Sequence, residues 1–200
     1  MNALISTAMI TTTLALATPA FAQEAARLRG EVTSTSGDTV TVTNQGGDSY
    51  DVTLTDDFSV LVYEYIEIGD VRQGDFLSIP STEGEDGRKV AVSINVFPEA
   101  LRGTGEGETA WDLTEDSLMT NATVGEVVNA SDGSVIVVSY NGEDEPVLVP
   151  EGTPITEFNI APDRDLAEGD MAILFVTQEP DGEISANLAG VAEDGSLPPV

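Results

Sequence analysis

The chain has 200 residues, with 36 acidic against seven basic side chains and a formal net charge of −29. So negative a surface repels nucleic acid phosphates and anionic lipid headgroups, which argues against both as partners. There is no cysteine and no histidine, so the chain has no disulfide and lacks the commonest general base and transition-metal ligand. The acidity has two interpretations, a well-hydrated soluble surface or the collection of cations.

The N-terminal residues predict export. Residues 1–22 carry no charge, Leu4 to Ala17 is a weakly apolar run, and the stretch from Thr18 to Ala22 ends in small residues. We therefore expect a secretory signal peptide that is cleaved after Ala22, although its first residues include no Lys or Arg. The predicted destination is the periplasm of a Gram-negative-type bacterium or the extracellular medium. No later stretch is apolar enough to predict a membrane span.

Residues 23–96 predict a first β module. Apolar and polar residues alternate from Leu28, and Val40 and Val42 share one face of a strand between two turn-forming stretches rich in Gly and Asp. Val52 and Leu54 form the next inward-facing row. Short alternating runs separated by turn residues are typical of antiparallel all-β structure.

Residues 122–192 repeat this pattern and predict an internal duplication. Gly74-Asp75 matches Gly169-Asp170 at an offset of 169 − 74 = 95 residues. At the same offset Gly30-Glu31-Val32 matches Gly125-Glu126-Val127, and Asp86-Gly87 matches Asp181-Gly182. Val52 and Leu54 fall on Val147 and Val149. Distant matches at one spacing favour two copies of one unit. Residues 193–200, which include two prolines, predict a tail.

The fold class that follows is all-β, with two tandem OB-like small β-barrels. Each module has too few strands to leave its edges open, and closure into a small barrel removes most of the edge. An open sandwich is the second choice. Gly74 and Gly169 are placed at turns into the next strand, where a backbone without a β-carbon is favoured.

The connector, residues 97–121, fits neither a strand nor a simple turn, and it holds the candidate site. It contains the only tryptophan, Trp111. Three alternate glycines, Gly103, Gly105 and Gly107, predict a backbone that passes close to another surface. A phosphate loop is disfavoured because no Lys follows these glycines and the next residues are acidic.

Arg102 has two open interpretations. A guanidinium can hold a carboxylate in a bidentate pair, so Arg102 ties the connector to a barrel through Glu99, Glu106 or Asp112. Alternatively, Arg102 receives an anionic ligand in a cleft between the modules. The candidate ligand-binding set is therefore Arg102, Glu106, Glu108, Trp111 and Asp112.

Carboxylates in the connector suggest a cation site as an alternative. Glu106, Glu108 and Asp112, with Glu115 and Asp116 nearby, supply the oxygen ligands that Ca²⁺ prefers. No EF-hand loop is present, and in so acidic a chain dense carboxylates are expected without any site. No cofactor is otherwise predicted. Trp111 and its apolar neighbours Leu113, Leu118 and Met119 have two interpretations, packing against the barrels or forming a platform for a ligand.

The connector also carries a family resemblance. FPEALRGTGEGETAWDL followed by SLMTNATV resembles the hallmark of a bacterial family of exported proteins of unknown function, sometimes labelled automatically as metal ABC transporter permeases. The resemblance implies tandem periplasmic OB-like domains and covers the chain after the predicted signal. It departs at Glu108-Thr109-Ala110, where the family has His-x-Pro before Trp-Asp, so a metal role of that histidine would pass here to Glu108.

These observations favour a non-enzymatic exported binding or accessory protein, whose partner is a small ligand or an unknown periplasmic protein. The connector is the expected site. The first alternative is a carboxylate-based protein for divalent-cation binding or metal delivery. The second is a hydrolase, which would require two carboxyl groups facing each other across a deep cleft. Without His or Cys, a nucleophile–base pair would require Ser and Lys. The sole lysine, Lys89, lies beside a predicted hairpin tip, so no catalytic residue is predicted.

Overall fold

A computed structural model of the protein describes residues 25–85, 87–130, 133–179 and 182–200. The predicted signal peptide lies outside these residues. They form thirteen β-strands and two single-turn 3-10 helices at Ile68–Asp70 and Glu99–Leu101. In chain order the strands are β1 (Ala25–Ser36), β2 (Thr39–Asn44), β3 (Ser49–Tyr65), β4 (Phe76–Glu83), β5 (Lys89–Ala91), β6 (Ile94–Val96), β7 (Gly107–Ala110), β8 (Leu118–Ala130), β9 (Gly133–Tyr140), β10 (Glu143–Val149), β11 (Ile155–Ala161), β12 (Met171–Gln178) and β13 (Ile184–Ala192). The predicted all-β fold class is confirmed.

Five strands close the first barrel in the order β1-β2-β3-β13-β12 and back to β1. All its strand pairs are antiparallel except β3 with β13, which is parallel. The alternation predicted from the sequence supplies the interior, because Val40, Val42 and Val52 are almost completely buried in one cluster with Leu174 and Ala189. Closure leaves this ring without a free edge, as predicted for a small barrel rather than an open sandwich.

The second barrel repeats this arrangement with the strand order β8-β9-β10-β5-β4 and back to β8. Here the parallel pair is β10 with β5. Its core contains Leu77, Ile79, Ile136, Val138 and Val147, each fully buried. Both rings therefore have one topology, in which three consecutive strands are joined by two strands from elsewhere in the chain.

The two halves of the chain exchange strands. The first barrel takes β12 and β13 from the second half, and the second barrel takes β4 and β5 from the first. The boundaries predicted for the modules, 23–96 and 122–192, are therefore wrong as barrel boundaries. Alternation and turn spacing report which residues form strands, but they carry no information on which distant strand completes a ring.

The internal duplication is visible in matching loop geometry before β4 and before β12. Gly74 N donates to Val124 O and Val124 N to Asp75 O, both at 2.8 Å. In the other copy Gly169 N donates to Val32 O and Val32 N to Asp170 O, again at 2.8 Å. Both glycines have a positive φ, of 91° and 92°, which confirms the turn geometry predicted for them.

One of the predicted matches is wrong in register. The matching hydrogen bonds above pair Val32 with Val124, an offset of 124 − 32 = 92. Both strands also shift register at this point, β1 between Val32 and Ser34 and β8 between Val124 and Glu126. The Gly30-Glu31-Val32 match to Gly125-Glu126-Val127 is thus displaced by three residues. The two register shifts displace the strands relative to the sequence match, so sequence identity alone misplaced it.

A pseudo-twofold axis relates the halves. The second part of β3 pairs antiparallel with β11, and Tyr63 lies opposite Phe158 at the centre of this pairing. Because these two residues are 158 − 63 = 95 positions apart, they are each other's counterparts in the duplication. Their ring centroids are 5.2 Å apart. The two halves thus meet where β3 of the first ring pairs with β11, a strand that follows β10 and lies outside both rings.

Two segments are more ordered than predicted. In the connector, Gly107–Ala110 forms β7, which pairs antiparallel with Leu118–Asn121 of β8, so this part is a β-hairpin rather than irregular chain. The predicted tail, 193–200, is docked: Glu193 N donates to Tyr63 O at 2.9 Å, and Val200 is 6% exposed. Its apolar end is buried against the strands of the pseudo-twofold interface.

Neither 3-10 helix has the length and apolarity needed to cross a lipid bilayer, in the ranges that the structure describes.

Candidate functional site

Arg102 fastens the connector to the loop before β4. Its Nε and Nη2 atoms hold the Glu99 carboxylate at 2.6–2.9 Å, and Nη1 donates to Gly74 O at 2.8 Å. The hydrogen bonds to Arg102 lower the pKa of Glu99, and the same bonds raise the pKa of Arg102. The pair with Glu99 is local to the connector, so the bond to Gly74 O, and none of the predicted carboxylate partners, attaches Arg102 to the loop before β4.

Glu106 and Glu108 attach the connector to the second barrel. Glu106 accepts a hydrogen bond from Asn141 N at 3.2 Å, at the turn between β9 and β10. Glu108 forms an ion pair with Lys89, which also contacts Glu145 at 2.6 Å. Burial of Lys89 opposes its charge, but the hydrogen bonds that it donates to Glu108 and Glu145 outweigh burial and raise the pKa of Lys89.

Asp112 attaches the connector to the first barrel. Its carboxylate accepts two hydrogen bonds from Arg29, at 2.9 and 3.2 Å, and lies 3.7 Å from Arg27. Arg29 also donates to Val200 O through Nε at 3.2 Å and Nη2 at 3.0 Å. One guanidinium therefore joins β1, the connector and the C-terminal segment.

The predicted site residues do not converge on a common point. Glu106, Glu108 and Asp112 each face a different partner, and no group of three or more Asp or Glu side chains is placed to hold a metal ion within the described ranges. This arrangement gives no support to the predicted cation site. Gly103, Gly105 and Gly107 all have a positive φ. A β-carbon on Gly105 would lie 3.1 Å from Asn121 Nδ2, whereas one on Gly103 would meet nothing within 4 Å, so the predicted close approach is found at Gly105 and not at Gly103.

A cleft of about 550 Å³ lies instead on the inner side of the connector, between the two barrels. This volume falls within the range of small-molecule sites in proteins, roughly 300–1,000 Å³. Six of the large apolar side chains that line it come from both halves of the chain: Leu61, Phe97, Trp111, Met119, Phe158 and Phe175. Trp111 is the one member of the predicted ligand-binding set that reaches this cleft.

Aromatic rings form one wall of the cleft. Phe97 packs edge-on against Phe158, with centroids 4.9 Å apart, and against Phe76 at 5.1 Å. Phe158 also packs against Tyr63, with ring centroids 5.2 Å apart. Burial strongly raises the pKa of Tyr63, so its phenol stays neutral at physiological pH. The aromatic rings are therefore packed against one another along this wall of the cleft.

The other wall is the hairpin of β7 and β8. Residues that alternate along a strand share a face, and Thr109, Trp111, Met119 and Asn121 all line the cleft from this hairpin. The backbone ladder continues to Trp111, whose N donates to Ser117 O at 2.8 Å. The connector is therefore a fixed wall of the cleft.

Two polar atoms on this hairpin are buried without a hydrogen-bond partner, Trp111 Nε1 and Asn121 Oδ1. Buried polar groups are nearly always paired, because an unpaired one costs about 1–3 kcal/mol. Charge is sparse in the cleft, since among the described lining residues only Asp57 has a charged side chain, and it is exposed. The cleft therefore lacks the facing carboxyl pair that the hydrolase alternative requires.

Comparisons with protein-family models, with curated proteins and with solved structures found no match to this chain. The resemblance to a family of exported tandem OB-like proteins stays a prediction.

The candidate cleft is lined in part by the connector that the sequence named as the site, but by only one residue, Trp111, of the predicted ligand-binding set. Sequence reasoning weighted the charged residues of the connector, which turn outward to clamp it, over the apolar ones that turn inward. A usable signal was the run from Phe58 to Tyr63, where Leu61 and Tyr63 are buried on the face opposite Val60. A strand that is apolar on both faces of a small barrel predicts a second packed surface outside it.

Proposed function

We propose that this protein is a non-enzymatic, exported binding protein that holds a small, largely apolar molecule in the cleft between its barrels. The observation that carries this proposal is the pairing of an aromatic wall with two buried, unpartnered polar atoms, Trp111 Nε1 and Asn121 Oδ1. Apolar lining with a few placed polar groups is the usual composition of a small-molecule site.

The size and charge of the cleft favour a small molecule over a protein partner. Its volume is about 550 Å³, within the roughly 300–1,000 Å³ that is usual for small-molecule sites. The net charge of −29 disfavours polyanionic ligands. Export rests on the uncharged N-terminal segment with its small-residue cleavage pattern.

A neutral fluorescent probe, N-phenyl-1-naphthylamine, tests the proposal. Its emission rises in apolar surroundings, and it accepts energy from tryptophan, so excitation of Trp111 reports binding near the connector. We expect saturable binding of one probe per chain. Probe emission that rises linearly, without saturation, would overturn the proposal.

A matched pair of variants on β7 locates the binding. Thr109→Phe fills the cleft, because Thr109 lines it beside Trp111. Ala110→Phe adds the same ring on the opposite face of the strand, where Ala110 is exposed. We expect Thr109→Phe to abolish saturable probe binding and Ala110→Phe to retain it. Equal effects of the two variants would place the probe elsewhere.

A further inference from the structure

The Trp111 end of the cleft has an unusual excess of buried hydrogen-bond donors. Trp111 Nε1 and Arg27 Nε are both buried without a partner. The guanidinium carbon of Arg27 lies 3.5 Å above the Trp111 ring, so the two donors are close to each other. Both can only donate, and the positive charge on Arg27 favours an oxygen with negative partial charge beside the indole.

At this end two guanidinium groups, those of Arg27 and Arg29, share the Asp112 carboxylate. Asp112 directs its short hydrogen bonds to Arg29 and lies 3.7 Å from Arg27. Burial is the largest influence on Arg27 and lowers the pKa of its guanidinium, with Asp112 acting in the opposite direction. Arg27 and Arg29 are two of only seven bases in the chain. Arg27 stacks on the Trp111 ring at this end, although neither arginine is among the residues that line the cleft.

The opposite end presents an acceptor. Asn121 Nδ2 donates to Thr104 O at 3.1 Å, and turning the amide over would set two oxygens against each other. Asn121 Oδ1 is therefore the atom left without a partner. Asn121 pairs with Gly107 in the β7–β8 ladder, which separates it from Trp111 by four residues, or roughly 13 Å along the strand.

We propose that the ligand is an elongated apolar molecule with an oxygen acceptor, a carbonyl or a carboxylate, at its Trp111 end. A hydrogen-bond donor at its far end is accepted by Asn121 Oδ1. This inference rests on the proposed function, because it assigns the orientation and end groups of a ligand in the same cleft. A molecule of this class satisfies Trp111 Nε1 and Asn121 Oδ1 and places its oxygen next to Arg27.

Displacement of N-phenyl-1-naphthylamine by three ten-carbon ligands tests the acceptor end. The ligands are 2-decanone, a neutral carbonyl; decanoate, a carboxylate; and decylammonium, which can only donate. We expect at least one of the two oxygen ligands to displace the probe at a concentration about tenfold lower than decylammonium, and their order distinguishes carbonyl from carboxylate. Displacement by decylammonium at the same concentration as the better oxygen ligand would overturn the inference. Failure of the probe itself to bind would overturn the proposed function instead.

Substitutions identify the donors. Trp111→Phe keeps a ring beneath Arg27 and removes the N–H, so the preference for the oxygen ligand should fall about fivefold to tenfold. Arg27→Met keeps an apolar stem and removes the charge, and it should reduce the preference similarly. Arg72→Gln is the matched control, because Arg72 is exposed on the loop before β4 and its loss changes net charge equally. An unchanged preference in both Trp111→Phe and Arg27→Met, with folding verified by circular dichroism, would refute the assignment.

A terminal hydroxyl tests the Asn121 end. We expect 10-hydroxydecanoate to displace the probe at a concentration at least threefold lower than decanoate in the wild type. This advantage should vanish in Asn121→Leu, which removes the acceptor. If the hydroxyl brings no gain in the wild type, the role of Asn121 in the inference is wrong.

Discussion

Arg29 holds the Asp112 carboxylate with two parallel hydrogen bonds, at 2.9 and 3.2 Å, across a separation of 83 residues in the chain. The same guanidinium also donates to Val200 O, and Arg27 of the same strand stacks on Trp111. The connector that walls the cleft is thus held at its Trp111 end by two side chains of β1.

Asp112→Asn is predicted to lower the free energy of unfolding by about 1 kcal/mol, because it removes the charge of a bidentate pair whose Asp112 side chain is 38% exposed and therefore partly screened. Urea unfolding followed by Trp111 emission measures this. Asp116→Asn, an exposed position on the same loop, should change the unfolding free energy by less than about 0.5 kcal/mol. Equal losses would mean that general charge, rather than the pair, matters.

The stability of the connector should fall in acid. Burial of Asp112 opposes its ionisation, but the hydrogen bonds from Arg29 and the charges of Arg29 and Arg27 outweigh burial and lower the pKa of Asp112. A carboxyl with a depressed folded-state pKa contributes stability that is complete above its unfolded pKa of about 3.9 and is lost as the pH falls through the folded-state value. Between about pH 4 and pH 2, unfolding free energy should therefore fall more steeply for the wild type than for Asp112→Asn. Parallel profiles in this window would contradict the assignment.

Gly74→Ala and Gly169→Ala are predicted to destabilise the protein equally, by about 1–2 kcal/mol each. Both glycines have a φ near 90°, a conformation that strains any residue with a β-carbon. Gly69→Ala is the matched control, because its β-carbon would meet nothing within 4 Å and its φ is ordinary. Thermal unfolding compares the three variants. A large difference between Gly74→Ala and Gly169→Ala would show that the two loops are not equivalent.

A single cut in the connector should leave the protein assembled. Arg102 is exposed there, and each barrel contains strands from both sides of it. Arg72, Arg88 and Arg164 are also exposed, so the test uses a chain in which these three are Gln. After limited trypsin cleavage at Arg102, its two fragments should elute together on size exclusion in native buffer and separate only in denaturant. Arg102→Gln, which removes the cut, is the control. Separation of the fragments in native buffer would show that each half closes its own barrel.

The sequence predicted the strands and the repeat because both depend on local patterns. The alternation at Val40, Val42 and Val52, and the Gly-Asp pairs before β4 and β12, record which residues face inward and where the chain turns. The exchange of strands was not predictable, because a β12 paired with β1 has the same alternation as a β12 paired with β8. The alternation of apolar residues specifies which face of a strand is buried, whereas the neighbouring strand with which it pairs depends on the whole fold.

The candidate site was predictable only in part, for a related reason. Glu106, Glu108 and Asp112 stand out in the sequence as charges, but their partners Asn141, Lys89 and Arg29 lie far along the chain. A carboxylate that is neutralised by a distant residue looks the same in the sequence as one that waits for a ligand. For Trp111 the sequence allowed two roles, packing against the barrels or contacting a ligand. In the structure Trp111 lines the cleft.

The exchange of strands also bears on ancestry. A chain of half this length would lack two of the five strands that each ring requires, so it could build these barrels only as a symmetric pair of identical chains. In such a pair, both walls of the axial cleft would have been the same. In one continuous chain that constraint is absent: Tyr63 lies opposite Phe158, and a single hairpin lines the cleft. A single chain can therefore have a cleft with two different walls, which a symmetric dimer of identical chains cannot have.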